Sequence, residues 1–158
     1  MRTPAPILAL LAILALLAAP PAHAQDNPCF DQAKMAAHIK ASGLAWEQRR
    51  PDLWRVDLES ETRKSVRVVA TCGTQLVVLF AVVAEVADLK KSEALYLYLL
   101  RMAARFDHVK IGVDSDGDYL VRIDLRTRTF DAKDLEAAAR QVRSVVDELT
   151  PGLRAHAN

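Results

Sequence analysis

Residues 92–125 read SEALYLYLLRMAARFDHVKIGVDSDGDYLVRIDL, and the hydrophobic period changes inside this stretch. In its first half Leu95, Leu99, Met102, Ala103 and Phe106 recur at helical spacing. A helix over 92–106 is expected, with that face buried and with Arg101 and Arg105 outside. Tyr96 and Tyr98 are not demanded by the buried face; they are boundary residues or, with Leu100, part of a contact surface. In the second half the period falls to two, so strands are expected over 108–114 and 119–125. The SDGD between them carries the Asp-Gly pair of a tight hairpin.

Downstream, FDAKDLEAAARQVRSVVDEL (130–149) reads as a capped helix of about 132–149. Asp131 is its N-cap, Phe130 and Leu135 its staple, and Asp134 sits favourably in the first turn. Leu135, Ala138, Val142, Val145, Val146 and Leu149 form one apolar stripe. Pro151-Gly152 is expected to end the helix and leave 151–158 as a flexible tail.

Upstream lie three sheet-forming runs, WRVDL (54–58), SVRVVATC (65–72) and QLVVLFAVVA (75–84). Short links between them favour antiparallel hairpins. The first alternates wet and apolar positions, whereas 76–84 has no polar interruption, as expected of a central strand covered on both faces. A helix over 31–42 precedes them, capped by Asp31 with Phe30 and Met35 around it and stopped by Gly43. The segment through Trp46, Pro51 and Trp54 reads as a connector into the first strand.

The resulting order is αβββαββα. It predicts one α+β domain over 31–150, two-layered, with a curved, mainly antiparallel five-stranded sheet and helices mainly on one side. The other sheet face then needs cover. A second copy or a bound polypeptide supplies it, or the connector 43–53 folds back with Trp46 and closes it.

The chain opens with MRTPAPILALLAILALLAAPPAHA (1–24): a positive Arg2, an apolar run Ile7 to Ala19, and Ala22-His23-Ala24 before Gln25. This is the pattern of a cleavable export signal. The run of about 13 residues is short of the roughly 20 that span a bilayer, so no stable membrane span is expected after cleavage; the alternative is a retained anchor. Residues 25–30 are expected to be an exposed N-terminal segment. The expected location is the periplasm or the exterior.

The chain has 21 Lys plus Arg against 20 Asp plus Glu, and Arg2 is the only charge of the leader, so the processed chain is formally neutral. Its basic residues are interspersed with acids, a poor footprint for nucleic acid. Cys29 and Cys72 survive processing, and an oxidising destination favours a structural disulfide over two free thiols. Redox catalysis lacks a CxxC.

No catalytic, cofactor-binding or metal-binding residues are assigned. Asp114, Asp116 and Asp118 alternate like calcium ligands, but counted from Asp114 the glycine stands at loop position 4 and Leu125 at position 12, so turn chemistry is the reading. His38, His108 and His156 lack metal-ligand spacing. Neither a nucleophile elbow nor a phosphate-cradling loop occurs.

The helix and strand order, together with LYLLRMAARFDHVKIGVDSDGDYLVRIDL (97–125) and FDAKDLEAAARQVRSVVDEL, resembles the YbjN-like domain and the related fold of type III secretion chaperones. The resemblance covers about residues 31–150 and rests on the DxDG-type turn at Asp114–Gly117 and the helix from Asp131 to Leu149. It implies a non-enzymatic, chaperone-like module, commonly dimeric, that holds extended segments of a partner. The export signal departs from the cytoplasmic setting of those chaperones and points to an envelope polypeptide, or self-association, as the partner. The alternative expectation is a small-ligand-binding or hydrolytic envelope protein whose site gathers dispersed Arg, His and Asp residues such as Arg101, Arg105 and Arg122.

Overall fold

The chain runs α1 (Gln32–Ala41), β1 (Glu47–Arg50), β2 (Leu53–Glu59), β3 (Ser65–Cys72), β4 (Leu76–Ala84), α2 (Glu93–Ala103), β5 (Lys110–Val113), β6 (Tyr119–Arg126) and α3 (Ala132–Arg154). This is a computed structural model, and it describes residues 29–158. The expected export signal over 1–24 and most of the expected N-terminal segment 25–30 lie outside the described residues.

All strand pairings are antiparallel, in the order β1-β2-β3-β4-β6-β5. The α+β class and the open antiparallel sheet agree with the sequence reading, but the sheet has six strands instead of five. The added strand is β1, EQRR, inside the segment expected to be only a connector into the first strand. Its four side chains are all exposed, so no alternation marks it. It forms because β2 offers an unpaired edge across the two-residue Pro51-Asp52 turn, with Glu47 opposite Arg55 and Gln48 opposite Trp54. The connector therefore does not close the open sheet face. Trp46 packs on the core instead, its indole Nε1 donating to Ser42 Oγ at 3.2 Å.

Alternate residues of the central strands face the helices and are buried: Trp54 and Val56, Val66, Val68 and Ala70, Val77, Leu79 and Ala81, Tyr119, Val121 and Ile123. α3 crosses β3, β4 and β6, and α1 and α2 pack against it. The predicted α3 stripe is the buried one, with Leu135, Val142, Val146 and Leu149 fully buried. Its N-terminus carries a reciprocal capping box, Asp131 accepting from the backbone of Lys133 and Asp134 while the Asp134 carboxylate accepts from Asp131 N. α1 is capped by Asp31, and Gly43 leaves it with φ 74°, a left-handed turn that favours glycine.

α3 does not stop at Pro151. It continues to Arg154, because Leu153 is buried in the core and the Tyr98 hydroxyl donates to the Leu149 carbonyl at 3.0 Å, in the turn that the proline disturbs. Residues 155–158, expected to trail, are tied to the segment after β4: Lys90 N donates to His156 O at 2.8 Å and Asn158 N to Asp88 O at 3.0 Å. Gly152 faces Tyr98 so closely that a Cβ there would enter the ring. Gly152→Ala should therefore cost about 2 kcal/mol by overpacking, read by chemical denaturation. The same change in a Tyr98→Ala background should cost far less, and additive costs would refute the contact.

β4 lies inside the sheet, but only its inner face is covered. On the outer face Leu76, Val78 and Phe80 are half-buried and Val82 is 42% exposed. β3 and β4 also pair over only part of their length, from Cys72 opposite Val77 to Val69 opposite Phe80. Beyond that point Ser65–Val68 pairs with β2 alone and Ala81–Ala84 with β6 alone, so the sheet opens into a cleft.

Candidate interaction surface

Ser92 caps α2, its Oγ accepting from Leu95 N at 3.2 Å, and this sets the helix phase. Leu95, Leu99 and Met102 turn into the core as expected. The opposite side is unusually apolar for a wet helix face. Tyr96 is 45% exposed, Leu97 44% and Leu100 67%. Val113, 56% exposed, stands on the neighbouring strand β5. Between helix and strand lies an open groove of about 260 Å³, lined by Tyr96, Leu99, Leu100, Ala103, Ile111, Val113 and Tyr119.

The predicted trio does not stay together. Tyr96 and Leu100 border the groove, whereas Tyr98 turns inward to α3 and lies 6.1 Å from the His156 ring. Burial, with Glu148 nearby, raises the Tyr98 phenol above its ordinary pKa. Leu97 and Val113 were missed. Leu97 falls outside the buried stripe, which is a readable signal, but Val113 looks like any strand residue until the chain folds.

The two sheet edges differ in chemistry. β1 presents Glu47, Gln48, Arg49 and Arg50, with Glu47 accepting from Arg49 at 2.6 Å and pairing with Arg55 at 2.9 Å. Such charged, bulged edges resist further strand pairing. β5 carries one charge, Lys110, and its Ile111, Gly112 and Val113 continue the apolar groove.

The outer sheet face has an apolar band, Val69, Phe80, Val82 and Leu120, flanked by ion pairs. Arg67 pairs with Asp57 at 2.9 Å, and Asp124 with Lys110 at 2.7 Å and Arg122 at 2.6 Å. Burial works against ionisation of Asp124, but hydrogen bonds from Arg122 and Lys110 hold its carboxyl below the usual range.

The other sequence candidates do not converge. Arg105 pairs with Glu148 at 2.8 Å, Arg122 lies on the outer sheet face, and Arg101 is exposed on α2. His38 packs on Phe130 at 4.9 Å, far along the fold from the tail residue His156. Asp114 closes its own turn, accepting from Asp116 N and Asp118 N at 2.9 Å, while Asp118 accepts from Val86 N at 2.8 Å. No cluster of three or more metal-ligating side chains occurs among the described residues. Cys29 and Cys72 are joined as a disulfide, with Cα atoms 4.8 Å apart.

No family model matches the chain, and no curated protein matches it in sequence. Solved structures do match in shape. A chain of the heterodimeric ExoU–SpcU complex from the type III secretion system of Pseudomonas aeruginosa aligns with TM-score 0.55 at 15% identity, over 75% of this chain and 97% of that one. The fold is shared with a protein of a type III secretion complex. A chain of the ExsC–ExsE complex aligns with TM-score 0.54 at 16% identity, over 77% and 92% of the two chains. YbjN from E. coli aligns with TM-score 0.56 at 12% identity, over 81% and 96%. At these identities the shared property is the YbjN-like architecture.

Proposed function

We propose that this chain is a non-catalytic protein-interaction module of the bacterial cell envelope that binds an extended polypeptide, or a second copy of itself, along α2 and β5. The observation that carries this reading is the continuity of exposed apolar side chains on α2 with an almost uncharged strand edge that is unpaired among the described residues. A strand added to β5 would gain main-chain hydrogen bonds and place alternate side chains in the groove, the chemistry of strand addition. The opposite edge is charged, so pairing there is disfavoured. Two of the similar structures are of complexes between two named proteins, which supports an interaction role. The leader and the disulfide support an envelope location, where thiols oxidise.

The double variant Leu100→Lys/Val113→Lys should abolish self-association, measured as solution mass, and abolish crosslinking to envelope polypeptides. Both positions are exposed, so the folding stability should stay within about 0.5 kcal/mol of the parent. A parent protein that remains monomeric and crosslinks to no envelope polypeptide would sink the proposal.

A further inference from the structure

Where β3 and β4 part, a cavity of about 370 Å³ opens between the end of β4 and the last turns of α3. Its walls are apolar at Val83, Ala84, Leu89 and Leu153, and two arginines, Arg63 and Arg154, reach it from different elements. Arg63 takes the place of a strand partner: its Nη2 donates to the Val83 carbonyl at 3.2 Å and to Thr150 Oγ1 at 2.6 Å. Arg154 Nη2 donates to Thr62 O at 2.7 Å. Neither forms an ion pair among the described residues, and the Nε and Nη1 donors of both have no protein acceptor there.

The half-buried Arg63 thus sits beside a like charge. Burial first, and Arg154 after it, lower its pKa, and the one acid that opposes them, Asp147, already accepts hydrogen bonds from Ser60, Thr62 and Arg143. A second cavity of about 380 Å³ adjoins on the far side of Arg63, with Val69, Phe80 and Val82 in its wall beside the charged Arg67, Glu85 and Asp88.

We infer that this cleft binds a carboxylate carried on an apolar chain, with Arg63 and Arg154 holding the carboxylate and the split sheet taking the tail. Two guanidinium forks suit a planar carboxylate. The apolar walls disfavour a bare inorganic anion, and Asp88, which lines both cavities, disfavours a dianion. The same chemistry is offered by a free fatty acid and by the C-terminus of a polypeptide ending in an apolar residue.

The test is a backbone-amide NMR titration of the disulfide-bonded chain with octanoate, octanol, and N-acetyl-Ala-Leu as free acid and as amide. Saturable shifts centred on Ala84, Leu89, Thr150 and Leu153 are expected for the acids and not for octanol or the amide. The acid that binds more tightly names the source. Arg154→Gln, at an exposed site, should weaken binding about tenfold or more, and Arg63→Gln should do the same if it folds. Equal binding of octanol and octanoate, unchanged affinity in Arg154→Gln, shifts confined to the α2–β5 groove, or no saturable shift overturns the inference.

Discussion

Replacing Cys29 and Cys72 together by alanine should lower the stability of the fold by about 4 kcal/mol, the loop-entropy value for a closed loop of this length. The bridge spans 43 positions and encloses α1, β1, β2 and β3, so the unfolded chain gains much freedom when it is removed. In the folded state it fastens the start of the described chain to the end of β3, beside the hydrogen bond from Phe30 N to Gly73 O at 3.1 Å. Alanine is the right replacement at Cys72, which is 3% exposed, because serine would bury a hydroxyl. The thermal midpoint should fall on the order of 15 °C, and a reductant should shift the parent by a similar amount. Coincident denaturation curves for the parent and the double variant would show that the bridge contributes nothing.

Asp147→Ala should cost about 3 kcal/mol, because one carboxylate on α3 organises the whole β2–β3 loop. Asp147 is 7% exposed. It accepts from Ser60 Oγ, from Thr62 Oγ1 at 2.8 Å, from Glu61 N and Thr62 N at 3.3 Å, and from Arg143 Nη1 at 3.0 Å. Truncation strands those donors and leaves Arg143, among the described residues, with only Glu61 as an acid partner, 3.8 Å away and exposed.

Burial by itself would push the Asp147 carboxyl up, but the hydrogen bonds from Ser60, Thr62, Arg143 and Glu61 N outweigh it and hold the group well below the ordinary carboxylate range. A depressed folded-state pKa gives stability that is present above the unfolded value of about 3.9 and fades as pH falls below it toward the folded value. The parent should therefore lose this contribution progressively below about pH 4, and Asp147→Asn should show a flatter stability profile in that window. Parallel profiles for the two proteins would refute the role assigned to the carboxylate.

Leu135 through Leu149, the Asp131 cap and the Asp114–Gly117 turn were legible in the sequence because their signals are local. A helix stripe repeats every three or four residues, a capping box spans four, and an Asp-Gly hairpin is set by its own backbone angles. The antiparallel order followed from short links. β1 was not legible, since Glu47, Gln48, Arg49 and Arg50 have no buried face, and a strand held by main-chain bonds to β2 leaves no side-chain pattern. The end of α3 is hidden from the sequence for a related reason. Pro151 is a local stop signal, but the burial of Leu153 and the bond from Tyr98 are contacts across the fold.

The candidate surface divides the same way. That α2 has more apolar residues than its buried face needs is plain from SEALYLYLLRMAARF. Which of them face water depends on where α3 and β5 lie: α3 draws Tyr98 in, and β5 brings Val113 up beside Leu100. Nothing in the order of residues foretells that the carboxylate of Asp147 meets a loop 85 positions earlier, or that Arg63 fills the gap where β3 leaves β4. Periodicity and capping act within a few residues of chain, so composition and order settle the elements and their buried faces. Edges, clefts and charge partners arise only when packing brings distant segments together, so they belong to the folded molecule.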